Sequence, residues 1–132
     1  MTRQEMFEKS VRGLASQGYR QSRTVQGAGQ PGEHVRCAYN GKLDDGTECH
    51  CAWGWVDPDI PASYQFNSVS TLYYEKIGVA GTLSGEDRFW ALDLQACHDA
   101  AVTPDQMVKN LRVLAARFNL QWPDDVPRGV PC

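Results

Sequence analysis

The sequence predicts an α+β fold, in which an N-terminal helix and an antiparallel β-hairpin precede two to three helices that pack on one face of the small sheet. Two observations support this prediction. Apolar residues repeat at helical spacing near both ends of the chain, and side chains alternate at strand spacing around a Gly/Asp-rich centre at 41–47. Because 132 residues can bury one hydrophobic core, we expect a single domain over 1–132, with an irregular, Pro-rich tail at 120–132.

The first helix is predicted from about residue 3 to residue 17. Thr2 and Glu5 fit a capping box, in which the hydroxyl and the carboxylate satisfy backbone N–H groups of the first turn. Gly18 is a typical C-terminal stop. The following segment, 20–33, is polar and rich in Gly and Gln, which predicts a flexible surface loop.

The centre of the chain predicts a hairpin with strands at 34–40 and 48–56. Alternation places four side chains of the second strand on one face, which we expect to pack on the helices: Cys49, Cys51, Trp53 and Trp55. On the opposite face, Gly54 leaves room for the close approach of another backbone or helix. A homodimer that uses the Gly54 face is therefore one alternative.

Three further segments favour helices. Residues 68–76 fit a strand by composition and a short helix by spacing, and we favour the helix. Residues 85–101 carry two apolar stripes, which begin at Phe89 and Trp90, so this helix is expected to be central and largely buried. A last helix starts at Thr103, which fits an N-cap followed by Pro at the first helical position.

Charge and hydropathy exclude several classes of partner. A net charge of -3 offers no basic footprint for phosphate groups, so nucleic acid is not expected to bind directly. No segment approaches the roughly 18 apolar residues of a membrane span, and the N-terminal segment lacks the apolar centre of a secretory signal. We expect a cytoplasmic protein whose five cysteines are free thiols.

A zinc site is one hypothesis for the cysteines. The candidate ligands are Cys37, Cys51, Cys97 and His98. Structural zinc needs a tetrahedral ligand set, in which pairs are usually about two to four residues apart. Cys49 and Cys51 are separated by a single residue, which is a poor spacing. The simpler interpretation is that the cysteines are small core residues and that no cofactor is bound.

Thiol catalysis is a second hypothesis. A cysteine nucleophile needs a base and a group that orients the base, and Cys51, His98 and Asp99 supply these residue types. Consecutive helical residues point about 100° apart, so Cys97 cannot form a relay with its two neighbours. A simpler role for His98 is to bond the carbonyl groups at the end of its helix.

The aromatic residues of 57–74 indicate a protein-binding surface. Tyr with few charges nearby is typical of interface anchors, although core packing is the alternative. The candidate contacts are Tyr64, Phe66, Tyr73, Tyr74, Asp57 and Asp59, and the 20–33 loop is a second candidate surface.

Four short motifs resemble those of a family of small uncharacterised proteins from bacteria, phages and prophages. The motifs are Cys37-Ala38-Tyr39, Cys51-Ala52-Trp53-Gly54, Asp57-Pro58-Asp59 and Leu94-Gln95-Ala96-Cys97-His98-Asp99. The resemblance implies a cytoplasmic protein carried by a mobile element. It transfers no catalytic residue, since the family has no established activity. The family cysteines correspond to Cys37 and Cys51, which are too few for a closed zinc site.

The sequence therefore favours a non-catalytic accessory or regulator that binds another protein. Inhibition of a host protein complex by a phage-encoded or mobile-element-encoded protein is the specific form that we expect. The alternative is a small enzyme or metal-site protein that uses Cys51, His98 and Asp99. The sequence does not identify the partner, and it leaves both a monomer and a homodimer open.

Overall fold

The computed structural model describes residues 1–26, 29–43 and 45–127. The five α-helices of these residues are α1 (Arg3–Ser16), α2 (Ala52–Val56), α3 (Val69–Tyr74), α4 (Gly85–Asp99) and α5 (Pro104–Arg117). The strands are β1 (Arg23–Gln26), β2 (His34–Cys37), β3 (Asn40–Lys42) and β4 (Glu48–His50), and short 3-10 turns lie at Ala62–Tyr64 and Gly78–Thr82. The predicted α+β fold class is confirmed.

Helix α1 confirms the predicted N-terminal helix and its capping box. The backbone N–H of Glu5 donates to Thr2 Oγ1 over 3.1 Å, and the backbone N–H of Thr2 donates to Glu5 Oε1 over 3.1 Å. The helix ends where Gly18 and Tyr19 adopt positive φ angles of 68° and 55°. Four apolar side chains of α1 are fully buried in the core: Met6, Phe7, Val11 and Leu14.

The strands form two separate antiparallel pairs, and their pairing differs from the prediction. β1 pairs with β2 so that Arg23 lies opposite Cys37, and β3 pairs with β4 so that Asn40 lies opposite His50. The prediction of a loop over 20–33 is therefore wrong for Arg23–Gln26, which form a strand. The polar composition of that segment concealed its strand, and positions 27–28 lie outside the described residues.

The segment after β4 is a helix, and the predicted strand over 48–56 is wrong beyond His50. Cys51 is the N-cap of α2, because its sulfur accepts the backbone N–H of Gly54 over 3.3 Å. Two Trp, a Val and a Gly give this segment little intrinsic preference for a helix. Packing of α2 against α1 and α4, with Trp53 fully buried, overrides that preference.

Gly54 is enclosed by its own chain. A Cβ atom at this position would overlap the backbone carbonyl of Tyr39, so only glycine permits the observed packing. The expected close approach is thus present, but it lies within one molecule. Gly54 itself is buried and therefore offers no surface to a second copy of the chain.

The remaining helices follow the prediction closely. Ser68, Ser84 and Thr103 cap α3, α4 and α5, since each hydroxyl accepts a backbone N–H from the residue three positions later. Residues 68–76 therefore contain a helix, as we favoured. α4 ends at Asp99, slightly before the predicted boundary at residue 101. α4 packs against α2, α3 and α5, so it is central as expected.

The C-terminal segment packs against the N-terminal helix and the residues that follow it. Residues 120–127, the described part of the predicted tail, contain no helix or strand. Trp122 packs edge-to-face on Phe7 with ring centroids 6.0 Å apart, and the hydroxyl of Tyr19 donates to the carbonyl of Pro127 over 3.0 Å. Positions 128–132 lie outside the described residues. Among the residues that are described, no helix combines the length and the apolar character needed to cross a membrane.

Candidate functional site

A cleft of about 1000 Å³ opens between the β1–β2 hairpin, residues 65–69 and the C-terminal half of α4. Its lining includes Cys37, Tyr39, Gln65, Phe66, Gln95 and Asp99. The cleft therefore brings together side chains from separate motifs that were singled out in the sequence. Volumes of this size are typical of sites for small molecules, so the chemistry at the floor of the cleft decides what the cleft can do.

His98 lies fully buried beneath the cleft, and both of its ring nitrogens have partners. The backbone N–H of Ser22 donates to Nε2 over 2.8 Å, and Nδ1 lies 2.8 Å from Oδ1 of Asp99. Because an amide N–H can only donate, Nε2 must be the accepting nitrogen. The neutral ring therefore carries its proton on Nδ1 and donates it to Asp99.

Asp99 belongs to a wider network that holds the end of α4. The side-chain amide of Gln95 donates to Oδ1 of Asp99 over 3.0 Å and accepts the backbone N–H of Trp53 over 2.9 Å. The amide of Gln21 donates to the carbonyls of His98 and Asp99 over 3.0 and 3.2 Å. Gln21 thus fills the role at the helix terminus that we expected of His98, whose ring instead bonds to Ser22.

The possible metal ligands that lie close together in the structure differ from the set that we predicted. Among the described residues, Cys37, His98 and Asp99 place one ligand atom each within 4.8 Å of the others. Cys51 and Cys97 are not part of this group. A neutral His that binds a metal carries its proton on the other nitrogen and donates it. Here that nitrogen, Nε2, faces the Ser22 N–H, so the geometry does not favour a metal on Nδ1.

The predicted nucleophile, Cys51, lies in a position that does not suit catalysis. Its thiol is fully buried, and this burial raises the pKa of Cys51 to about 12. The sulfur also caps α2 by accepting the N–H of Gly54. Because both nitrogens of His98 are occupied, His98 offers Cys51 no free base. The geometry therefore does not favour the Cys51–His98–Asp99 relay. Burial likewise raises the pKa of Cys97 to about 12.

The six predicted binding residues lie in several places. Asp57 is buried and accepts the backbone N–H of Val79 over 3.0 Å, which is a structural role, whereas Asp59 is exposed. Tyr64 packs partly against the core, and its hydroxyl lies 3.4 Å from a carboxylate oxygen of Glu75. Phe66 is half-buried at the cleft. Tyr73 and Tyr74 lie together on another surface.

That surface is an aromatic–arginine patch, which consists of Tyr73, Tyr74, Arg88 and Phe89. The guanidinium carbon of Arg88 lies 4.4 Å from the ring centroid of Phe89, 5.1 Å from that of Tyr74 and 5.4 Å from that of Tyr73. Arg88 Nη1 donates to the hydroxyl of Tyr74 over 2.7 Å. The side chains of Tyr74 and Phe89 are 67% and 58% exposed. Large apolar surface of this kind is available to a partner.

Sequence reasoning missed Arg88 and Phe89. Periodicity assigned Phe89 to an apolar stripe of a buried helix, and the exposure of Phe89 corrects that assignment. The stripe that begins at Trp90 is the buried one. The sequence signal for this half of the patch was an Arg-Phe pair in the N-terminal part of α4. Only the packing of α3 on α4 places this pair beside Tyr73 and Tyr74.

The first prediction concerns thiol reactivity. At pH 7, iodoacetamide should label the partly exposed Cys37 well before Cys51 and Cys97, because the two buried thiols have raised pKa values. Peptide mapping by mass spectrometry measures the rate at each site, and urea-unfolded protein provides the control in which all sites react. Labelling of native Cys51 faster than global unfolding would support the catalytic alternative.

The second prediction concerns the His98 network. His98→Ala removes the acceptor of the buried Ser22 N–H and leaves a cavity, so it should reduce the free energy of unfolding by about 2–4 kcal/mol. Asp99→Asn keeps an oxygen that can accept from His98 and Gln95, and should lower stability by less than about 1 kcal/mol. Urea denaturation measures both values. A larger loss of unfolding free energy in Asp99→Asn than in His98→Ala would contradict the structural role of His98.

Comparison with known proteins identifies no relationship for the chain. It matches no family model, no curated protein and no solved structure. The resemblance to small proteins of bacteria and phages stays a prediction based on short motifs. What the protein does must therefore be inferred from its own contacts, burial and charge.

Proposed function

We propose that the protein is a non-catalytic accessory or regulator that binds another protein through the aromatic–arginine patch. The observation that supports this proposal is the exposure of Tyr74 and Phe89 on either side of Arg88. Tyr and Arg are among the residues that contribute most to protein–protein binding energy. Exposed aromatic rings packed around a cation are therefore well suited to the centre of an interface.

The patch is held in place before any partner binds. Tyr73 and Tyr74 form an edge-to-face pair with centroids 5.1 Å apart, and Arg88 is fixed by its bond to the Tyr74 hydroxyl. The two helices that carry the patch are capped by serines and packed against each other. Because the side chains are already ordered, binding loses little side-chain entropy, which favours affinity.

The cleft supports the alternative function less well. Its His98, Gln95 and Gln21 side chains are engaged in hydrogen bonds that hold the fold together. The predicted nucleophile Cys51 is a buried neutral thiol at neutral pH. A small enzyme or metal-site protein that uses Cys51, His98 and Asp99 would need to break these contacts. We therefore favour binding over catalysis.

The biological setting of the proposal comes from the motif resemblance. We accordingly propose a host protein complex as the target and its inhibition as the outcome. The net charge of -3 is compatible with a protein partner rather than a nucleic acid.

The third prediction tests this proposal by affinity capture. Tagged protein should retain a saturable partner from a bacterial lysate, and excess untagged protein should displace it. Tyr74→Ser and Phe89→Ser should each reduce the retained partner roughly tenfold or more, because they remove central anchors. Their thermal stability should change little, since both side chains are mostly exposed. Quantitative mass spectrometry measures retention.

The matched control is Val113→Ser, because Val113 on α5 is 58% exposed, as is Phe89. This variant should retain the partner at the level of the unaltered protein. Equal retention by all three variants would show that the partner contacts another surface. If no saturable partner is found, the binding function itself is wrong.

A further inference from the structure

We infer that Arg88 is a positioning residue of the aromatic–arginine patch: it supports partner binding by holding the rings of Tyr74 and Phe89, whereas its own charge makes no contact with the partner. This inference rests on the proposed function, since it assigns a role within the same patch. Arginines at interfaces commonly contribute through ion pairs with the partner. The contacts of Arg88 are instead made with neighbouring side chains of its own chain.

The guanidinium of Arg88 is already bonded at Nη1 and covered at Nε before a partner binds. Nη1 donates to the hydroxyl of Tyr74 over 2.7 Å. Nε is buried and makes no hydrogen bond to the described residues. Because the oxygen of a partner cannot reach a buried nitrogen, a carboxylate cannot form the two parallel bonds that the Nε edge of an arginine otherwise offers.

Three aromatic rings surround the same guanidinium. Its central carbon lies 4.4 Å from the ring centroid of Phe89, 5.1 Å from that of Tyr74 and 5.4 Å from that of Tyr73. The faces of aromatic rings are negative, so they attract a cation and weakly accept N–H groups that have no oxygen acceptor. The positive charge of Arg88 therefore acts on the rings of the patch and draws them together.

The exposed rings depend on this attraction for their order. Tyr74 and Phe89 are 67% and 58% exposed, so the core holds them weakly. An exposed aromatic side chain that rotates freely loses conformational entropy when a partner fixes it. The contacts with Arg88 restrict both rings in the free protein, so less entropy is lost on binding. Arg88 can thus raise affinity without contacting the partner.

The charge that is exposed beside the patch is negative. Glu86 is exposed and lines the groove of about 440 Å³ next to Arg88, which is half-buried. These two residues carry opposite charges, so the groove has little net charge to offer. A partner therefore meets mainly the surface of the aromatic rings, which agrees with a positioning role for Arg88.

The fourth prediction uses Arg88→Met, which removes the charge but keeps an unbranched side chain that packs on aromatic rings. Retention of the captured partner should fall roughly three- to tenfold, because the bond to the Tyr74 hydroxyl and the attraction between cation and rings are lost. The dependence of retention on sodium chloride concentration should stay that of the unaltered protein, since no charge pair across the interface is removed. A weaker salt dependence, or unchanged retention, would overturn the inference.

A second substitution tests whether Arg88 acts through Tyr74. Tyr74→Phe keeps the ring and removes the hydroxyl that accepts from Arg88. It should reduce retention about twofold or more in the unaltered protein and have no further effect in Arg88→Met, where the bond is already absent. An equal effect in both backgrounds, including none in either, would overturn the inference. The matched control is Arg112→Met on α5, which removes an exposed arginine of another groove and should leave retention unchanged.

NMR on the free, nitrogen-15- and carbon-13-labelled protein tests the same role without a partner. The Nε–H signals of Arg88 and Arg112 are assigned by their loss in the two Met variants. The Arg88 signal should exchange with water at least about tenfold more slowly, because its Nε is buried. The ring resonances of Tyr74 and Phe89 should move towards their unfolded values in Arg88→Met but not in Arg112→Met. Equal exchange rates or unmoved rings would overturn the inference.

These outcomes are separable from failure of the proposed function. A partner whose retention depends on Tyr74 and Phe89, but whose salt dependence weakens in Arg88→Met, would preserve the binding function and refute the positioning role. Absence of any saturable partner refutes the function, while the exchange rate and the ring resonances still decide whether Arg88 holds the rings.

Discussion

The buried imidazole of His98 is the interaction on which the arrangement of the chain depends most. Its Nε2 accepts the Ser22 N–H at the start of the β1 hairpin, and its Nδ1 donates to Asp99 at the end of α4. Asp99 in turn is bonded by Gln95, which also binds the first turn of α2. The ring therefore joins the start of the β1–β2 hairpin to α4, Gln95 joins α4 to α2, and both ring nitrogens have partners. Buried networks of this kind specify a structure because every member needs all of its partners.

This constraint also shapes the functional interpretation. Cys, His and Asp side chains at the floor of a large cleft are the residue types that metal sites and thiol enzymes use. Here the imidazole is committed to the fold at both nitrogens, and the thiol of Cys51 is buried and caps a helix. The exposed aromatic surface lies elsewhere, on the aromatic–arginine patch at the junction of α3 and α4.

Much of the fold could be predicted from the sequence because local chemistry determines it. The capping residues Thr2, Ser84 and Thr103 mark the beginnings of the three long helices, and the structure places all three as caps. Helix α2 could not be predicted in this way, because a sulfur caps it and its two Trp and its Val favour strands, so tertiary packing decides its conformation. β1 escaped prediction because a short polar strand lacks an apolar alternation.

The candidate site was predictable only in part, for a related reason. Tyr73 and Tyr74 stand out in sequence, whereas Phe89 fits a helical apolar stripe and needed the structure to show its exposure. The meeting of Cys37 with His98 and Asp99 depends on how the β1–β2 hairpin is placed against α4, which no local pattern encodes. Periodicity reports which residues share a face, but it cannot report which face a neighbouring element leaves open.

Hydrogen–deuterium exchange on the complex with the captured partner tests the central claim most directly. The account predicts slowed backbone exchange in the peptides that cover 70–76 and 84–90 on binding, with exchange around the cleft, at 65–69 and 95–102, unchanged. Protection confined to the cleft, with residues 84–90 exchanging as in the free protein, would contradict the account. It would show that the partner is recognised at the Cys37–His98–Asp99 end of the molecule.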